Sequence, residues 1–381
     1  MHLRALRLHQ FRNHLNSSFE FGDGTNVLLG DNGQGKTNVI EAISYLCLTR
    51  SFYANSDTLA LNFEKDSFEV DGRLLSDRGV EHHVHVAYLA LTGEKAVTVN
   101  RQRVEPFASI IGQFPIVICS PEHAPITAAG PLERRRFVDF VISQSSKIYF
   151  QNLIEYRRVL KQRNRILLDA KLARRDATPL LEPWDEQIVE HGGMLMERRR
   201  QFVEEFREFI TPAYRRLVEG AEQPSMEYVP LTGANSATPD MDFKGLLRAG
   251  LREKRDEEQR VGTTLVGPHR DEFTLKIDGL DLRKFASQGQ HKTFLVALKI
   301  GEFFYLNDRC RETPIMLLDD VFSELDERRA ACVLEFVETL SQTFITSTNP
   351  HLFNRADRPA GRISVFHLHG GAVVEGGTIA A

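Results

Sequence analysis

The chain has 381 residues, which is enough for two or three domains. With 42% hydrophobic and 26% charged residues it has the composition of a globular protein, and it contains no apolar run of about 18 residues that could span a membrane. The formal net charge of −4 excludes overall basicity, so any contact with nucleic acid has to come from a local patch.

The four cysteines lie far apart and form no Cys-x-x-Cys pair, which argues against a disulfide framework and against a zinc site. The first ten residues lack the apolar stretch of a signal peptide. We therefore expect a cytoplasmic protein. The cysteines are Cys47, Cys119, Cys310 and Cys332.

Alternating and β-branched residues predict strands over most of the first 120 residues. The predicted strand 25–29 runs into a glycine-rich loop, and apolar residues at helical spacing predict a helix from Lys36 to about Cys47. The other predicted strands are 3–8, 19–21, 68–75, 80–90, 96–104 and 114–119.

From Gly130 to about Gln259 the sequence has a helical pattern and many charges. Residues 146–171 contain no proline or glycine and predict one helix roughly 39 Å long. Residues 177–183 are expected to break the pattern before a second long helix, 186–209, that is loosened at its two glycines, 192 and 193. Two long helices joined by a break predict an antiparallel hairpin, or arm. Residues 223–240 hold three prolines and are predicted as loop or edge strand.

After Val261 strand and helix patterns alternate again. The predicted strands are 273–277, 314–318, 343–346 and 363–367, and the predicted helices are 291–306 and 328–340. The similar texture on both sides of the helical segment predicts one α/β domain, residues 1–129 and 261–381, interrupted by a helical insert, residues 130–260.

Residues 30–37 match the phosphate-binding loop G-x-x-x-x-G-K-T, with the strand before it and the helix after it that this motif requires. Glycines let successive N–H groups face one centre, and the helix dipole adds positive potential there. We predict that Lys36 contacts the β- and γ-phosphates of ATP and that the Thr37 hydroxyl ligates Mg²⁺. The alternative is a glycine turn that opens an ordinary helix. The predicted ATP-binding residues are Gly30, Asp31, Asn32, Gly33, Gln34, Gly35, Lys36, Thr37 and Asn38.

A second predicted strand, 314–318, ends in two carboxylates. Ligands bind at the carboxyl ends of strands in parallel sheets. We predict that Asp319 holds Mg²⁺, directly or through water, and that Asp320 is the catalytic residue that orients or deprotonates the attacking water, with Lys36 as its partner in catalysis. The alternative is a strand that ends in solvated aspartates.

Two further segments have no role in a simple phosphate-loop enzyme, namely Ser287-Gln288-Gly289-Gln290 at the start of helix 291–306 and Ser323-Glu324-Leu325-Asp326. With the loop, the acidic strand and the helical insert, they make the chain resemble the head domain of ABC-type ATPases of the structural-maintenance-of-chromosomes class. The chain is most similar to the RecF family of bacterial recombinational repair proteins. The shorter similar strings are Phe11-Arg12-Asn13-His14, Gly35-Lys36-Thr37-Asn38, Ser120-Pro121-Glu122, Gly130-Pro131, Arg135-Arg136-Phe137, Gly267-Pro268-His269-Arg270 and Leu318-Asp319-Asp320.

The resemblance implies a P-loop ABC-type ATPase head with an inserted α-helical arm, in which two heads sandwich two ATP molecules. Ser287 and Gly289 of one subunit would then contact the γ-phosphate held by Lys36 of the other, with Asp326 at the dimer seam. A serine N-cap is the alternative for Ser287. The resemblance also implies a weak DNA-dependent ATPase that acts as a switch. It would bind gapped, junction or double-stranded DNA near the nucleoid, as an ATP-dependent homodimer with RecR- and RecO-like partners and with no membrane.

Two positions depart from the broader ABC pattern, and a third residue has two interpretations. Asp320 stands where such ATPases usually carry glutamate, so slow turnover is expected because aspartate is one methylene shorter. The usual switch histidine is replaced by Thr346-Ser347-Thr348, where a hydroxyl could substitute. Gln113 precedes a predicted strand, and it is either the metal-linking glutamine or, as we favour, a polar loop residue.

Residues 134–175 carry twelve lysines and arginines against three acidic residues, which predicts a surface for a phosphate backbone. The alternative is a solvated helix face. Arg12 is interpreted either as a phosphate contact or as an ordinary turn residue. A rival function is a P-loop ABC-type ATPase subunit coupled to a membrane or other protein partner, which predicts no basic arm. The DNA-binding candidates are Arg134, Arg135, Arg157, Arg158, Lys161, Arg163 and Arg165.

The histidines at positions 82, 83 and 85 lie along one predicted strand. His83 and His85 are expected on one face and His82 on the other, which is too little for a metal site without a third ligand.

Overall fold

The structure, a computed structural model, describes residues 1–218, 220–230, 240–324, 326–353 and 363–378. It divides into two compact units: unit 1 comprises Met1–Ala124 and Glu302–Ala381, and unit 2 comprises Pro125–Gly301. No helix within the described ranges has the length and apolar composition needed to cross a membrane.

The described residues form fifteen strands and ten α-helices. The strands are β1 (His2–Phe11), β2 (His14–Glu20), β3 (Thr25–Leu29), β4 (Ser67–Leu75), β5 (Glu81–Leu89), β6 (Glu94–Val99), β7 (Gln102–Arg103), β8 (Ile116–Cys119), β9 (Pro224–Val229), β10 (Glu272–Ile277), β11 (Leu280–Asp281), β12 (Ile315–Leu318), β13 (Thr343–Ser347), β14 (Ile363–His369) and β15 (Ala372–Thr378). The helices are α1 (Lys36–Leu48), α2 (Pro125–Ala128), α3 (Pro131–Ser145), α4 (Lys147–Ala173), α5 (Thr178–Leu217), α6 (Phe243–Glu253), α7 (Arg255–Val261), α8 (Leu282–Phe285), α9 (Gln288–Arg309) and α10 (Glu327–Glu338).

Unit 1 contains a six-stranded sheet in the order β15-β14-β3-β13-β12-β8, in which every pairing except β14 with β15 is parallel. All residues of β3, β8, β12 and β13 are buried, and β8 and β12 appear in the sequence as continuous apolar runs for that reason. The parallel arrangement brings the carboxyl ends of β3, β13 and β12 to one edge of the sheet.

A second, antiparallel sheet of unit 1 has the order β2-β1-β4-β5-β6-β7. The predicted strand 96–104 is wrong as one strand, because Asn100 and Arg101 adopt positive φ angles of 52° and 67° and form a turn between β6 and β7. Helix α1 contacts strands of both sheets, and eleven of its thirteen residues are buried. The loop before α1 is therefore anchored to a fully packed helix.

Unit 2 contains the predicted helical hairpin. Contacts run in opposite directions along its two helices, since Asn152 bonds His191 at 2.9 Å and Arg163 bonds Asp185 at 2.7 Å, so α4 and α5 are antiparallel. The predicted break is shorter than expected: α5 begins at Thr178 and includes Pro183, which leaves a connection of four residues.

The two glycines at 192 and 193 do not loosen α5, contrary to the prediction. A Cβ on Gly193 would lie 2.5 Å from Cγ of Lys244, and one on Gly192 would lie 3.0 Å from Cδ1 of Leu247. Both positions face α6, so the missing side chains let two helices approach closely.

Unit 2 also contains a three-stranded sheet in the order β11-β10-β9. β9 lies at its edge, as one of the two predicted alternatives for 223–240, while residues 231–239 lie outside the described residues. Because β10 pairs with β9, residues 261–301 belong to the same compact unit as the insert. The boundaries of the compact units therefore differ from the domain boundaries that the sequence pattern predicts.

Candidate nucleotide-binding site

The glycine-rich loop connects β3 to α1, and two of its glycines are required by their surroundings. Gly30 has a φ of 154°, and a Cβ there would lie 2.6 Å from the carbonyl oxygen of Leu368. Gly35 has a φ of 102°, and a Cβ there would lie 2.6 Å from Oδ1 of Asn13. Both conformations favour glycine, so the loop is built to bring backbone close to other groups.

Lys36 lies across this loop. Its Nζ donates hydrogen bonds of 2.7 Å to the carbonyl oxygens of Gly30 and Asp31. Burial lowers the pKa of Lys36, although nearby aspartates, Asp320 first, act in the opposite direction. The ammonium is thus held at the mouth of the loop, where a phosphate group would approach the N–H groups that open α1.

Asn13 and His14 support the loop from the turn between β1 and β2, a role not assigned to them from the sequence. Nδ2 of Asn38 donates to Oδ1 of Asn13 at 2.7 Å, and Nδ2 of Asn13 donates to the carbonyl of Gly33 at 3.3 Å. Nε2 of His14 lies 3.1 Å from the Gly35 carbonyl oxygen. Burial lowers the pKa of His14, which favours a neutral ring that donates to this carbonyl. The string Phe11–His14 was the only signal in the sequence.

The turn between β14 and β15 supports the other side of the loop. Gly370 N–H donates to Oε1 of Gln34 at 2.6 Å, and Gly371 N–H donates to the Gln34 carbonyl at 3.1 Å. A Cβ on Gly371 would lie 2.1 Å from the carbonyl oxygen of Asn13. The paired glycines therefore let the hairpin, the loop and the β1–β2 turn meet, and Gln34 has a structural contact.

Arg12 does not point to a phosphate site in this structure. Its guanidinium donates two hydrogen bonds of 2.7 Å to the carboxylate of Glu41, a buried residue of α1. Arg12 has a φ of 53°, so it is a turn residue, as the second interpretation held, and the bidentate pair fixes α1 against the end of β1.

The predicted metal residues come together at the carboxyl edge of the parallel sheet. Thr37 Oγ1 donates to Oδ1 of Asp319 at 2.9 Å, and Thr346 Oγ1 donates to the same oxygen at 2.8 Å. Burial raises the pKa of Asp319, and the two hydroxyl hydrogen bonds work in the opposite direction. β13 lies between β3 and β12, which is why its hydroxyl reaches the acidic pair.

A hydroxyl and a carboxylate this close are oxygen donors of the kind that Mg²⁺ prefers. Thr37 and Asp319 therefore fit the metal that the loop implies. The second oxygen of Asp319 accepts no hydrogen bond from a described residue, so its lone pairs are available to a ligand.

Asp320 follows directly and is exposed. Its φ is 51°, a strained value for aspartate, and its N–H donates to Thr346 Oγ1 at 2.8 Å. Thr346 thus contacts both aspartates through one hydroxyl. Its substitution for the missing switch histidine stays a prediction. Gln113 lies before β8, at the opposite end of the sheet, and donates to the Ser109 carbonyl at 2.8 Å. It is a polar loop residue.

The signature segment lies in unit 2 and opens α9. Ser287 Oγ accepts from Gln290 N–H at 3.2 Å, and Gln290 Oε1 accepts from Ser287 N–H at 2.9 Å. This reciprocal pair is a capping box. The N-cap alternative for Ser287 is therefore present, and the exposed hydroxyl remains at a helix N-terminus. Asp326 likewise caps α10 by accepting from Arg329 N–H at 2.9 Å.

Comparison with known proteins gives the family. The family model described as RecF/RecN/SMC N terminal domain matches residues 2–369. The DNA replication and repair protein RecF of Salinibacter ruber is 41% identical over 362 residues, which cover 93% of this chain and 87% of the relative. That of Chloroherpeton thalassium is 42% identical over 354 residues, covering 91% and 95%. The chain belongs to the RecF family.

Solved structures of RecF agree with this assignment. One, described as the recombination mediator protein RecF with ATP in the RecFOR pathway, has a TM-score of 0.88 and 30% identity, and covers 99% of this chain and 97% of that chain. Another, with ATPrS, has a TM-score of 0.87 and 31% identity, and covers 98% and 97%. The predicted fold class, an α/β ABC-type ATPase head with an inserted helical arm, is confirmed.

Two of the predicted DNA contacts of this RecF-family chain are wrong. Arg163 is fully buried, and its guanidinium bonds Asp185 and Glu258 at 2.7 Å each. Arg134 is 6% exposed and donates to Glu272 at 3.0 Å. Both side chains form ion pairs inside unit 2 and do not face a DNA surface, because a buried guanidinium requires partners for its charge.

The other candidates keep accessible charge. Arg135 is partly exposed and donates to the Asp271 carbonyl at 2.6 Å. Arg158 and Arg165 form surface ion pairs of 2.8 and 3.8 Å, which are weak enough to exchange for phosphate, and the exposed Arg157 lies 3.5 Å from the buried carboxylate of Asp139. The exposed candidates on α4 are Arg157, Arg158, Lys161 and Arg165.

Proposed function

We propose that this chain is an ATP-dependent DNA-binding protein of recombinational repair and replication. ATP would induce a homodimer on gapped or junction DNA, and slow hydrolysis would release it. The observation that carries the proposal is the group formed by Lys36, Thr37, Asp319 and Thr346 at the carboxyl edge of the parallel sheet. It brings together the cation, hydroxyl and carboxylate that an ATP-handling site requires.

ATP is the nucleotide we assign to the loop, with Lys36 on its phosphates and Mg²⁺ held by Thr37 and Asp319. Bound Mg²⁺ would neutralise phosphate charge and polarise the reacting phosphoryl group. Asp320 would orient or deprotonate the attacking water. Its short, exposed side chain supports weak ATPase activity suited to a switch.

Dimerisation is supported by a second helix start, at which a bound anion would be favoured. Ser287 is exposed at the N-terminus of α9, where N–H groups and the helix dipole favour negative charge. In our proposal, Ser287 and Gly289 of one subunit complete the nucleotide site of another. Asp326 would lie near the same seam.

DNA binding is supported by the exposed cationic row on α4. Arg157, Arg158, Lys161 and Arg165 would hold phosphates without reading bases, so recognition would depend on the shape of the DNA. A basic helix of this kind favours DNA over the rival function, an ATPase subunit coupled to a membrane or other protein partner.

The partners we propose are RecR- and RecO-like proteins, with which the chain would promote recombinase loading in the cytoplasm near the nucleoid. Support comes from the relatives, since a solved structure that resembles the chain is described as a mediator of the RecFOR pathway. In functional terms we keep the division into a head, residues 1–129 and 261–381, and an insert, residues 130–260.

The dimer is tested by Ser287→Arg. A large cation at the start of α9 should block ATP-induced dimerisation, measured by analytical ultracentrifugation with ATP and with ADP. The matched control is Ser18→Arg, which adds the same group to an exposed position of β2. If Ser287→Arg dimerised with ATP as the wild type does, the proposal would fail.

A further inference from the structure

The solvent-facing side of the antiparallel sheet in unit 1 carries a cluster of ligand-type side chains outside the nucleotide site. In the β4–β5 pairing, Asp71 lies directly opposite His85, and His83 lies opposite Arg73. Side chains alternate along each strand, so residues 69 and 71 of β4 share a face with residues 83 and 85 of β5. His82 points to the other face, where its ring lies 5.5 Å from that of Phe114.

The distances within the cluster suit a small cation. Oδ1 of Asp71 lies 3.0 Å from Nδ1 of His85 and 3.2 Å from Nε2 of His83. One ligand atom each of Glu69, Asp71 and His85 all lie within 4.8 Å of one another. Zinc bonds to nitrogen and oxygen of about 2.0–2.2 Å in a tetrahedron require ligand separations of roughly 3.3–3.6 Å. The Asp71 oxygen already lies near these separations from both imidazoles, whereas His83 lies outside the group of three and would have to move closer to complete a tetrahedron.

We propose that Glu69, Asp71, His83 and His85 form a binding site for a borderline transition-metal ion, Zn²⁺ in the first instance. Borderline transition-metal ions bind well to two imidazoles and two carboxylates. Mg²⁺ and Ca²⁺ instead favour oxygen ligands alone. Glu69 and Asp71 of β4 are the third and fourth ligands. The sequence of the strand that carries His83 and His85 does not contain them.

The surroundings are compatible with a bound cation. Arg73, beside His83, is engaged by Glu20 on β2 at 3.1 Å. The hydrogen bond between His85 and Asp71 lowers the pKa of Asp71 and raises the pKa of His85, so a bound metal ion would displace the proton that this pair holds. Asp71 is 30% and His85 28% exposed, which leaves both accessible from solvent. A metal would link β4 to β5 and stiffen the sheet on which α1 packs.

The test uses the full chain, without an affinity tag or nucleotide. Zn²⁺ binding is measured by calorimetry, and Co²⁺ is used as a spectroscopic probe because tetrahedral coordination gives intense visible absorption. We expect one saturable equivalent that persists in Asp319→Asn, which disrupts the nucleotide-metal site. His85→Asn should weaken binding by more than the roughly 10- to 100-fold typical of losing an outer-shell partner.

The matched control is His191→Gln, which removes an imidazole that bonds Asn152 in unit 2. It should bind Zn²⁺ as the wild type does. Asp71→Asn is the second ligand variant, and thermal unfolding of each variant with and without Zn²⁺ shows whether a loss of binding reflects misfolding. Absence of a saturable equivalent in the wild type, or equal affinity in wild type, His85→Asn and Asp71→Asn, would overturn the proposal.

Discussion

Thr346 contacts both aspartates of the candidate site through one hydroxyl, which meets the carboxylate of Asp319 and the backbone of Asp320. The hydroxyl donates to Oδ1 of Asp319 and accepts from the N–H of Asp320. Its own side chain is 1% exposed, so neither bond can be replaced readily by water. Thr346 is therefore a positioning residue: it orients Asp319 toward Thr37 and holds Asp320 in its left-handed conformation.

We predict that Thr346→Val, which keeps the volume but removes the hydroxyl, lowers the affinity of the nucleotide site for Mg²⁺ by about 10- to 100-fold. Binding of ATP without divalent cations should not change, since Lys36 and the loop remain intact. A Mg²⁺ titration with a fluorescent ATP analogue measures both effects.

The matched control for this variant is Thr343→Val at the start of the same strand. Thr343 is fully buried, and its hydroxyl has no hydrogen-bond partner among the described residues. It should behave as the wild type. An unchanged Mg²⁺ dependence in Thr346→Val, or an equal shift in both variants, would contradict the role assigned to Thr346.

At the residue scale the sequence predicted the loop, Thr37 and both aspartates, because local patterns define them. It did not predict the contacts of Asn13, His14 or Glu41, since their partners lie between 20 and 29 positions away along the chain. Such pairings depend on which strands and helices become neighbours. No local pattern encodes that.

Helix α4 carries arginines of two kinds on one element. Its buried residues include Tyr156, Val159, Arg163 and Leu167, spaced by three or four, so Arg163 lies within the apolar stripe. Arg165 lies two positions on and is exposed. The helix was predicted from the absence of proline and glycine, whereas the position of Arg163 within the apolar periodicity indicates that it faces the interior of the hairpin.

We predict that Arg163→Met destabilises the chain by about 3–5 kcal/mol, because Glu258 would be left buried without its countercharge. Burial already raises the pKa of Glu258, against the attraction of Arg163. Denaturant unfolding measures the loss.

The matched variant Arg165→Met should leave the free energy of unfolding unchanged. If one phosphate contact is lost, the plot of log K for DNA against log salt concentration should become shallower by about 0.9. Equal stability in both variants would contradict the buried ion pair. An unchanged salt slope in Arg165→Met would remove this residue from the proposed DNA surface.

At the scale of the whole molecule, His269 in the loop Gly267–Arg270 links pH to the stability of the folded chain. His269 Nδ1 accepts from the hydroxyl of Tyr156 at 2.6 Å, and its Nε2 lies 3.2 Å from the Thr264 carbonyl oxygen. Burial first, and the charge of Arg270 in addition, lower the pKa of His269 to about 4. The ring is therefore neutral in the folded protein.

Since the pKa of His269 is lower in the folded than in the unfolded chain, acid favours unfolding. Stability should fall as pH drops from about 6.5 to about 4, with at most roughly 1.4 kcal/mol per pH unit from this group. His269→Gln should flatten that decline in urea unfolding, while the exposed control His351→Gln should not. A parallel decline in wild type and His269→Gln would contradict this assignment.

The α/β class and the long helical hairpin were predictable because buried strands and amphipathic helices have strong periodicity. The division into compact units was not, because β10 joins β9 across more than forty residues of intervening sequence. Pairing of that kind groups residues 261–301 with the insert, although their sequence texture resembles the head.

In the proposed function, ATP controls DNA binding. The most direct measurement is the affinity for gapped DNA, determined by fluorescence anisotropy with ATP, with ADP, and with ATP for Lys36→Arg. We predict that ATP tightens binding by the wild type and that neither ADP nor the variant with ATP does so. Equal affinity in all three conditions would contradict the account.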